Sequence, residues 1–216
     1  FDFPIEKACQ FSLNPVTAYA LLSEANVSGK EWLLLTAGNS AVSKMIIQMA
    51  GLRNLKVISI SRSERDFAEL KSLGATATLT DDIENISKSV QEITNGKGVK
   101  CVLDSIGGKL ITELIKNLAP FGKLVSYGVI SSENVDYHNS NLVFKNITIK
   151  GFGVDAWLSN LEAEKRTETF DHLISMLENP LFQMPVAARY RFEEFRSAIV
   201  DFANAKSGKV VFIPDE

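Results

Sequence analysis

Residues 32–50 read WLLLTAGNSAVSKMIIQMA. A short apolar run, Trp32–Leu35, ends at Thr36. Small residues follow at Ala37, Gly38, Ser40, Ala41 and Ser43, and apolar side chains then recur at Val42, Met45, Ile46 and Met49. The first run suits a strand buried on both faces, and the later spacing is that of an amphipathic helix. A strand, a turn of small residues and a helix form the repeating unit of an α/β chain.

The same rhythm extends in both directions. Asn14-Pro15 opens a helix, with Asn as N-cap and Pro in the first turn, which runs through Tyr19 and Leu22 towards Ser28-Gly29. Downstream, strands are expected at Lys56–Ile60, Thr76–Thr80, Val99–Leu103, Lys123–Tyr127 and Ile147–Phe152. Helices are expected between them, from Ser63 to Leu73-Gly74, over Asp82–Thr94 and over Lys109–Leu118. Apolar strands separated by helices predict a doubly wound parallel sheet, Rossmann-like in class. After Gly153 the pattern changes to a C-terminal extension. It holds an amphipathic helix at Leu161–Leu177, a segment bounded by Pro180 and Pro185, a helix at Glu193–Ala205 and a strand at Lys209–Ile213. Ser131–Asn141 reads as loop.

The chain has 216 residues with 23 Lys+Arg against 26 Asp+Glu, 45% apolar and 23% charged. That is one large domain or a domain with part of another, and the composition excludes a disordered or collagen-like chain. A net charge of −3 leaves no basic footprint for nucleic acid. No apolar run approaches the roughly 20 residues of a membrane helix. Cys9 and Cys101 each lie among apolar neighbours, so both are expected to be buried free thiols, which suits a cytoplasmic location. Phe1 is not Met and no secretory leader follows it, so the natural N-terminus is expected to lie upstream.

In a doubly wound sheet, ligands bind beyond the carboxyl ends of the strands where the strand order reverses. The Gly38–Ser43 turn lies there, at a helix N-terminus that favours a diphosphate, and Asn39 and Ser40 are candidate side-chain donors. The alternative is a plain strand–turn–helix that binds no nucleotide. At the tip of the second strand, Ser61-Arg62-Ser63 stands where an NAD-binding chain places an acid. A guanidinium there matches a ribose 2′-phosphate, and a solvated loop Arg is the alternative. Arg65 is either a second contact or an ion-pair partner of Glu69. Asp104-Ser105-Ile106-Gly107-Gly108 and Tyr127-Gly128 close two further strands on the same crevice.

Taken in order, these residues resemble the medium-chain dehydrogenase/reductases, specifically the zinc-independent quinone oxidoreductase and 2-enoyl thioester reductase branch. Asn14-Pro15-Val16-Thr17-Ala18-Tyr19 resembles the family's Asn-Pro-x-Thr-Ala-Tyr helix, and Gly38–Ser43 resembles its cofactor turn with Ala41 and Ser43 in place of glycines. Ile58–Arg62, Leu73-Gly74-Ala75, Leu103–Gly108, Val125–Gly128, Phe144-Lys145, Gly151-Phe152 and Gly208-Lys209-Val210-Val211 follow in the family's order. The resemblance implies NADP(H) as cofactor and an enoyl thioester, enone or quinone as the small-molecule acceptor. It implies cofactor contacts at Thr17, Gly38, Asn39, Ser40, Ala41, Val42, Ser61, Arg62, Gly107, Tyr127 and Lys209, with Phe144 and Trp157 lining the substrate side. It also implies a dinucleotide-binding domain over 1–155 and a segment, 156–216, that belongs to a catalytic lobe preceding this chain. The proton donor is expected in that lobe, and a homodimer is expected through strand 147–152.

Hydride transfer needs a positioned cofactor and charge stabilisation rather than a metal. His138 and His172 are far apart in sequence and are read as surface residues. Trp157 either gates the substrate or packs as core or interface. A non-catalytic NADP(H)-binding sensor module is the alternative function.

Overall fold

Leu33, Leu34 and Leu35 are all fully buried, as expected for a run apolar on both sides. They belong to β1 (Trp32–Leu35), an interior strand of the main sheet. The structure is a computed structural model that describes residues 4–203 and 208–214. Before β1 come α1 (Ile5–Ala8) and α2 (Asn14–Ala25). After it come α3 (Ala41–Leu52), β2 (Lys56–Ser61), α4 (Phe67–Ser72), β3 (Ala77–Thr80), α5 (Ile86–Thr94) and β4 (Val99–Asp104). The chain continues through α6 (Gly108–Ile115), β5 (Leu118–Ser126), α7 (Asn139–Lys145), β6 (Thr148–Gly151) and α8 (Val154–Ser159). It closes with α9 (Ala163–Glu178), β7 (Val186–Tyr190), α10 (Phe195–Ala203) and β8 (Lys209–Phe212). Short 3-10 turns at Glu64–Asp66 and Phe192–Glu194 lead into α4 and α10.

Two compact units result. Ala18–Asn160 forms one, and the described residues up to Thr17 form the other with those from Leu161 onward. The boundary that the resemblance implies lies between 155 and 156.

The Ala18–Asn160 unit holds six parallel strands in the order β3-β2-β1-β4-β5-β6. This is the doubly wound Rossmann-like sheet that the alternation predicts. Successive residues of a strand face opposite sides. On one face Leu34, Ile58, Ile60, Val102 and Leu124 pack into a single core with Ile86 and Val90 of α5 and with Leu110, Ile111 and Leu114 of α6. On the other face Leu33, Leu35, Val57, Cys101, Leu103 and Val125 are also fully buried. There the Lys123 ammonium of β5 donates to the Glu24 carbonyl near the end of α2 at 2.6 Å. β6 is the sheet's edge on this side; its four residues are exposed, and Lys150 pairs with Glu24.

In the other unit β7 and β8 pair in parallel. Lys7 donates to the Leu177 carbonyl at 2.9 Å, Glu6 pairs with Arg189 at 3.0 Å, and the Phe11 and Phe170 rings lie 5.9 Å apart. Among the described residues no helix is long and apolar enough to cross a membrane.

Several boundaries differ from the sequence reading for identifiable reasons. β5 starts at Leu118 and runs through Pro120; Phe121 takes φ +58 and the register shifts opposite Val99–Cys101, so the proline is absorbed at a bulge. Residues 82–85 form a turn, with Asp82 accepting from the Glu84 N–H and the Asn85 side chain, and α5 begins only at Ile86. α7 begins within the expected loop Ser131–Asn141, and its cap is unusual: His138 Nδ1 accepts the Ser140 N–H at 3.2 Å in the role usually filled by Ser, Thr, Asp or Asn. Cys9 is exposed, contrary to expectation, because it follows a four-residue helix with no buried residues; Cys101 is buried as expected.

Candidate functional site

The strand order reverses at β1, with β2 and β3 on one side and β4 to β6 on the other. A crevice therefore opens beyond the carboxyl ends of β1 and β4. The Thr36–Ser43 turn forms one wall. Ala37 takes the left-handed region at φ +46, and the Gly38 N–H donates to the Ile60 carbonyl at 2.6 Å, laying the turn on the end of β2. A methyl group at Gly38 would sit 2.1 Å from Ser59 Oγ and 3.0 Å from the Ile60 oxygen, so only glycine fits.

Ser40 is the N-cap of α3. Its Oγ accepts the Ser43 N–H at 3.1 Å and donates to Ser43 Oγ at 3.0 Å; Ser43 Oγ in turn donates to the Thr36 carbonyl at 3.2 Å. Asn39 donates its side-chain amide to Asp66 at 3.1 Å. The two side chains expected to reach a phosphate are thus engaged within the protein. Among the donors left to the turn are the backbone N–H groups of Ala41 and Val42, at the positive end of α3. Because the Ser43 hydroxyl is turned inward and buried, its replacement of a glycine leaves the outer face of the turn small. One turn on, Lys44 is buried and pairs with Glu69 of α4 at 2.7 Å.

At the tip of β2, Ser61 is buried and donates to the Ser63 carbonyl at 2.8 Å. Arg62, the next residue, is exposed, and no hydrogen bond or ion pair joins it to any described residue. Arg65 lies in the 3-10 turn with its N–H capped by Ser63 Oγ.

The opposite wall is the end of β4. Asp104 is 1% exposed. Its Oδ1 accepts from Thr36 Oγ1 at 2.7 Å and from the Ile106 N–H at 2.8 Å, and its Oδ2 accepts from the Gly107 N–H at 3.0 Å. Burial pushes this carboxyl above its ordinary range, and those three donors oppose the shift. Gly107 takes φ +82, and a methyl group on it would meet nothing within 4 Å. Beside it, at the end of β5, the Tyr127 hydroxyl is buried near those of Ser43 and Ser105 and forms a well-shaped hydrogen bond with neither. Burial raises the phenol above its ordinary value. The Ser105 hydroxyl is likewise buried without a partner. A cradle of free N–H groups, an unpartnered guanidinium, open space at Gly107 and orphaned hydroxyls fit an extended diphosphate-containing ligand.

The remaining expected site residues lie on other elements. Thr17 donates to the Leu13 carbonyl at 2.8 Å on the first part of α2, and Lys209 opens β8; both belong to the other unit. Trp157 on α8 follows the carboxyl end of β6 and meets Tyr19 edge-on, with centroids 6.5 Å apart. Phe144 does not join it. Phe144 is 82% exposed in the last turn of α7, which runs back to the amino end of β6, and neighbouring Lys145 donates to the Lys116 and Leu118 carbonyls before and at the start of β5. That is the amino end of the strands, whereas the crevice lies beyond their carboxyl ends. His138 and His172 are both exposed. Among the described residues no group of three or more His, Cys, Asp or Glu is placed to hold a metal ion.

The sequence places Thr36 and Ser43 in the turn and Asp104 at a strand end on the same crevice, but shows neither the hydrogen bonds that join them nor the pairing of Lys44 with Glu69. For Asp104 the signal is an acid ending an apolar strand, three residues before a glycine pair.

Comparison with known proteins agrees with this geometry. The profile of the zinc-binding dehydrogenase family matches residues 41–177. The mitochondrial enoyl-[acyl-carrier-protein] reductase of Dictyostelium discoideum is 28% identical over 98% of this chain and 62% of its own length. Among solved structures, a putative NADPH:quinone reductase from Bacillus thuringiensis superposes with a TM-score of 0.85 at 29% identity, covering 94% of this chain and 62% of that one. The complex of Etr1p with NADP and crotonyl-CoA superposes with a TM-score of 0.81 at 29% identity, covering 94% and 60%. The chain thus spans only part of the length of the curated relatives it matches, 62% and 50% for the first two.

Proposed function

This chain belongs to the zinc-binding dehydrogenase family, within the medium-chain dehydrogenase/reductase superfamily, and from that premise we propose that it is the NADP(H)-binding part of a reductase. The acceptor is an activated carbon–carbon double bond or a quinone: an enoyl thioester, an enone or a quinone. One observation carries the reading. Arg62 stands exposed and unpartnered at the tip of β2, one residue beyond the strand that the Gly38 turn rests upon.

NADPH, when bound, supplies the hydride. The Ala41 and Val42 N–H groups and the α3 dipole hold its diphosphate, and the Arg62 guanidinium holds the 2′-phosphate, which an acid at that position would repel. Gly107 lets the ligand approach the backbone, and Tyr127 lines the groove with an unfilled hydroxyl. Thr17 and Lys209 are carried over from the family pattern as cofactor contacts and Trp157 as a substrate contact. We assign no metal to this part of the chain, and we place the proton donor outside it. The protein forms a homodimer through the exposed edge strand β6 and works in a reducing compartment, cytoplasm or mitochondrion.

A second reading, an NADP(H)-binding sensor without turnover, draws support from Asn39 and Ser40, whose side chains are engaged internally. Fluorescence titration of the full-length protein with NADPH and NADH, followed by turnover assays with crotonyl thioester and quinone acceptors, separates the cases. The expected result is preferred NADPH binding with NADPH oxidation. Saturable binding without oxidation selects the sensor, and equal or tighter NADH binding removes the 2′-phosphate assignment.

A further inference from the structure

We propose that Thr36 and Asp104 are positioning residues that lock the two walls of the crevice together and so set its affinity for the dinucleotide; this rests on the NADP(H) reading above. The two residues lie 68 positions apart and meet only because β1 and β4 are neighbours across the switch point. The Thr36 hydroxyl acts in both directions, donating to Asp104 Oδ1 at 2.7 Å and accepting the Ser105 N–H at 3.0 Å. No group without both a donor and an acceptor fills that role.

The carboxylate's other bonds shape the opposite wall. Asp104 accepts the N–H groups of Ile106 and Gly107 on different oxygens, which folds the β4–α6 turn back on itself and holds Gly107 at φ +82 with its open side free. On the first wall the Thr36 carbonyl accepts from Ser43, which is held by the N-cap Ser40. A continuous run of hydrogen bonds therefore passes from the Gly107 turn through Asp104, Thr36 and Ser43 to the start of α3. A carboxylate at 1% exposure with no ion pair to any described residue costs stability. Three donors hold it where the two walls meet, and the return on that cost is a fixed distance between them.

The test uses full-length protein with Thr36→Val, Thr36→Ser and Asp104→Asn. Valine keeps the shape and loses both hydrogen bonds, so NADPH is expected to bind about tenfold more weakly. Serine keeps both bonds and is expected to stay within about threefold of the parent. Asparagine sets an amide donor against an N–H donor, so Gly107 N–H exchange with deuterium should quicken and affinity should fall at least as far as with valine. The loss in turnover should appear in the KM for NADPH rather than in kcat. Equal affinities for the valine and serine variants overturn the proposal. So does parent-like affinity in the valine variant with unaltered exchange at Gly107. If the parent protein binds no NADPH, the functional reading fails, and the exchange rates alone judge the clamp: slow exchange in the parent and fast exchange in Asp104→Asn sustains it, and equal rates end it.

Discussion

The Gly38 N–H donates to the Ile60 carbonyl at 2.6 Å, and Ser59 Oγ fills the space that a Gly38 side chain would need. Gly38→Ala should therefore destabilise the protein by about 1–3 kcal/mol through overpacking. Ser59→Ala should recover part of that loss, because one of the two close contacts disappears while the Ile60 oxygen remains. A double-mutant cycle read by chemical denaturation checks this, and strict additivity would contradict the packing argument.

Arg62 should discriminate between the two nicotinamide cofactors. A charge-assisted contact to phosphate is worth about 1.5–3 kcal/mol, so Arg62→Ala should weaken NADPH binding roughly 10- to 100-fold. NADH binding should change little. The ratio of the two dissociation constants is the quantity to measure, and an unchanged ratio would refute the assignment.

The two cysteines should behave oppositely. Cys9 is exposed and should react promptly with a thiol reagent in the native protein. Cys101 is buried, and burial pushes its thiol up to about 12, so it should react only on unfolding. The linkage has a definite sign. A raised folded-state value means that this thiol favours the native state below pH 9 and that the contribution is lost as pH rises towards 12. Replacing Cys101 with Ala should flatten the fall in melting temperature over that alkaline interval.

β6 should act as an association edge. All four of its residues are exposed, and an edge strand presents unpaired backbone groups. Ile149→Asp places like charges near the twofold axis of such a pair and should shift the dimer towards monomer by about tenfold or more in dissociation constant. Sedimentation velocity reads this directly, and identical behaviour of parent and variant would rule out β6 as the contact.

What the amino-acid sequence determined by itself was local. Apolar runs and helical spacing are set by residues a few positions apart, so the alternation of strands and helices, the turn at Gly38 and the basic tip at Arg62 were all legible. α7 escaped because its cap is a histidine, and the early start of β5 escaped because Pro120 reads as the stop of the preceding helix. Tertiary structure decided everything that depends on which strands become neighbours. The placement of β4 beside β1 joins Thr36 to Asp104, and the direction of α7 carries Phe144 to the amino end of the strands. Packing around α3 turns Ser43 inward and leaves the Tyr127 hydroxyl unfilled. The physical reason is that a side chain's neighbours across a sheet depend on strand order, which is chosen by burial of the whole core and is written in no single stretch of the chain.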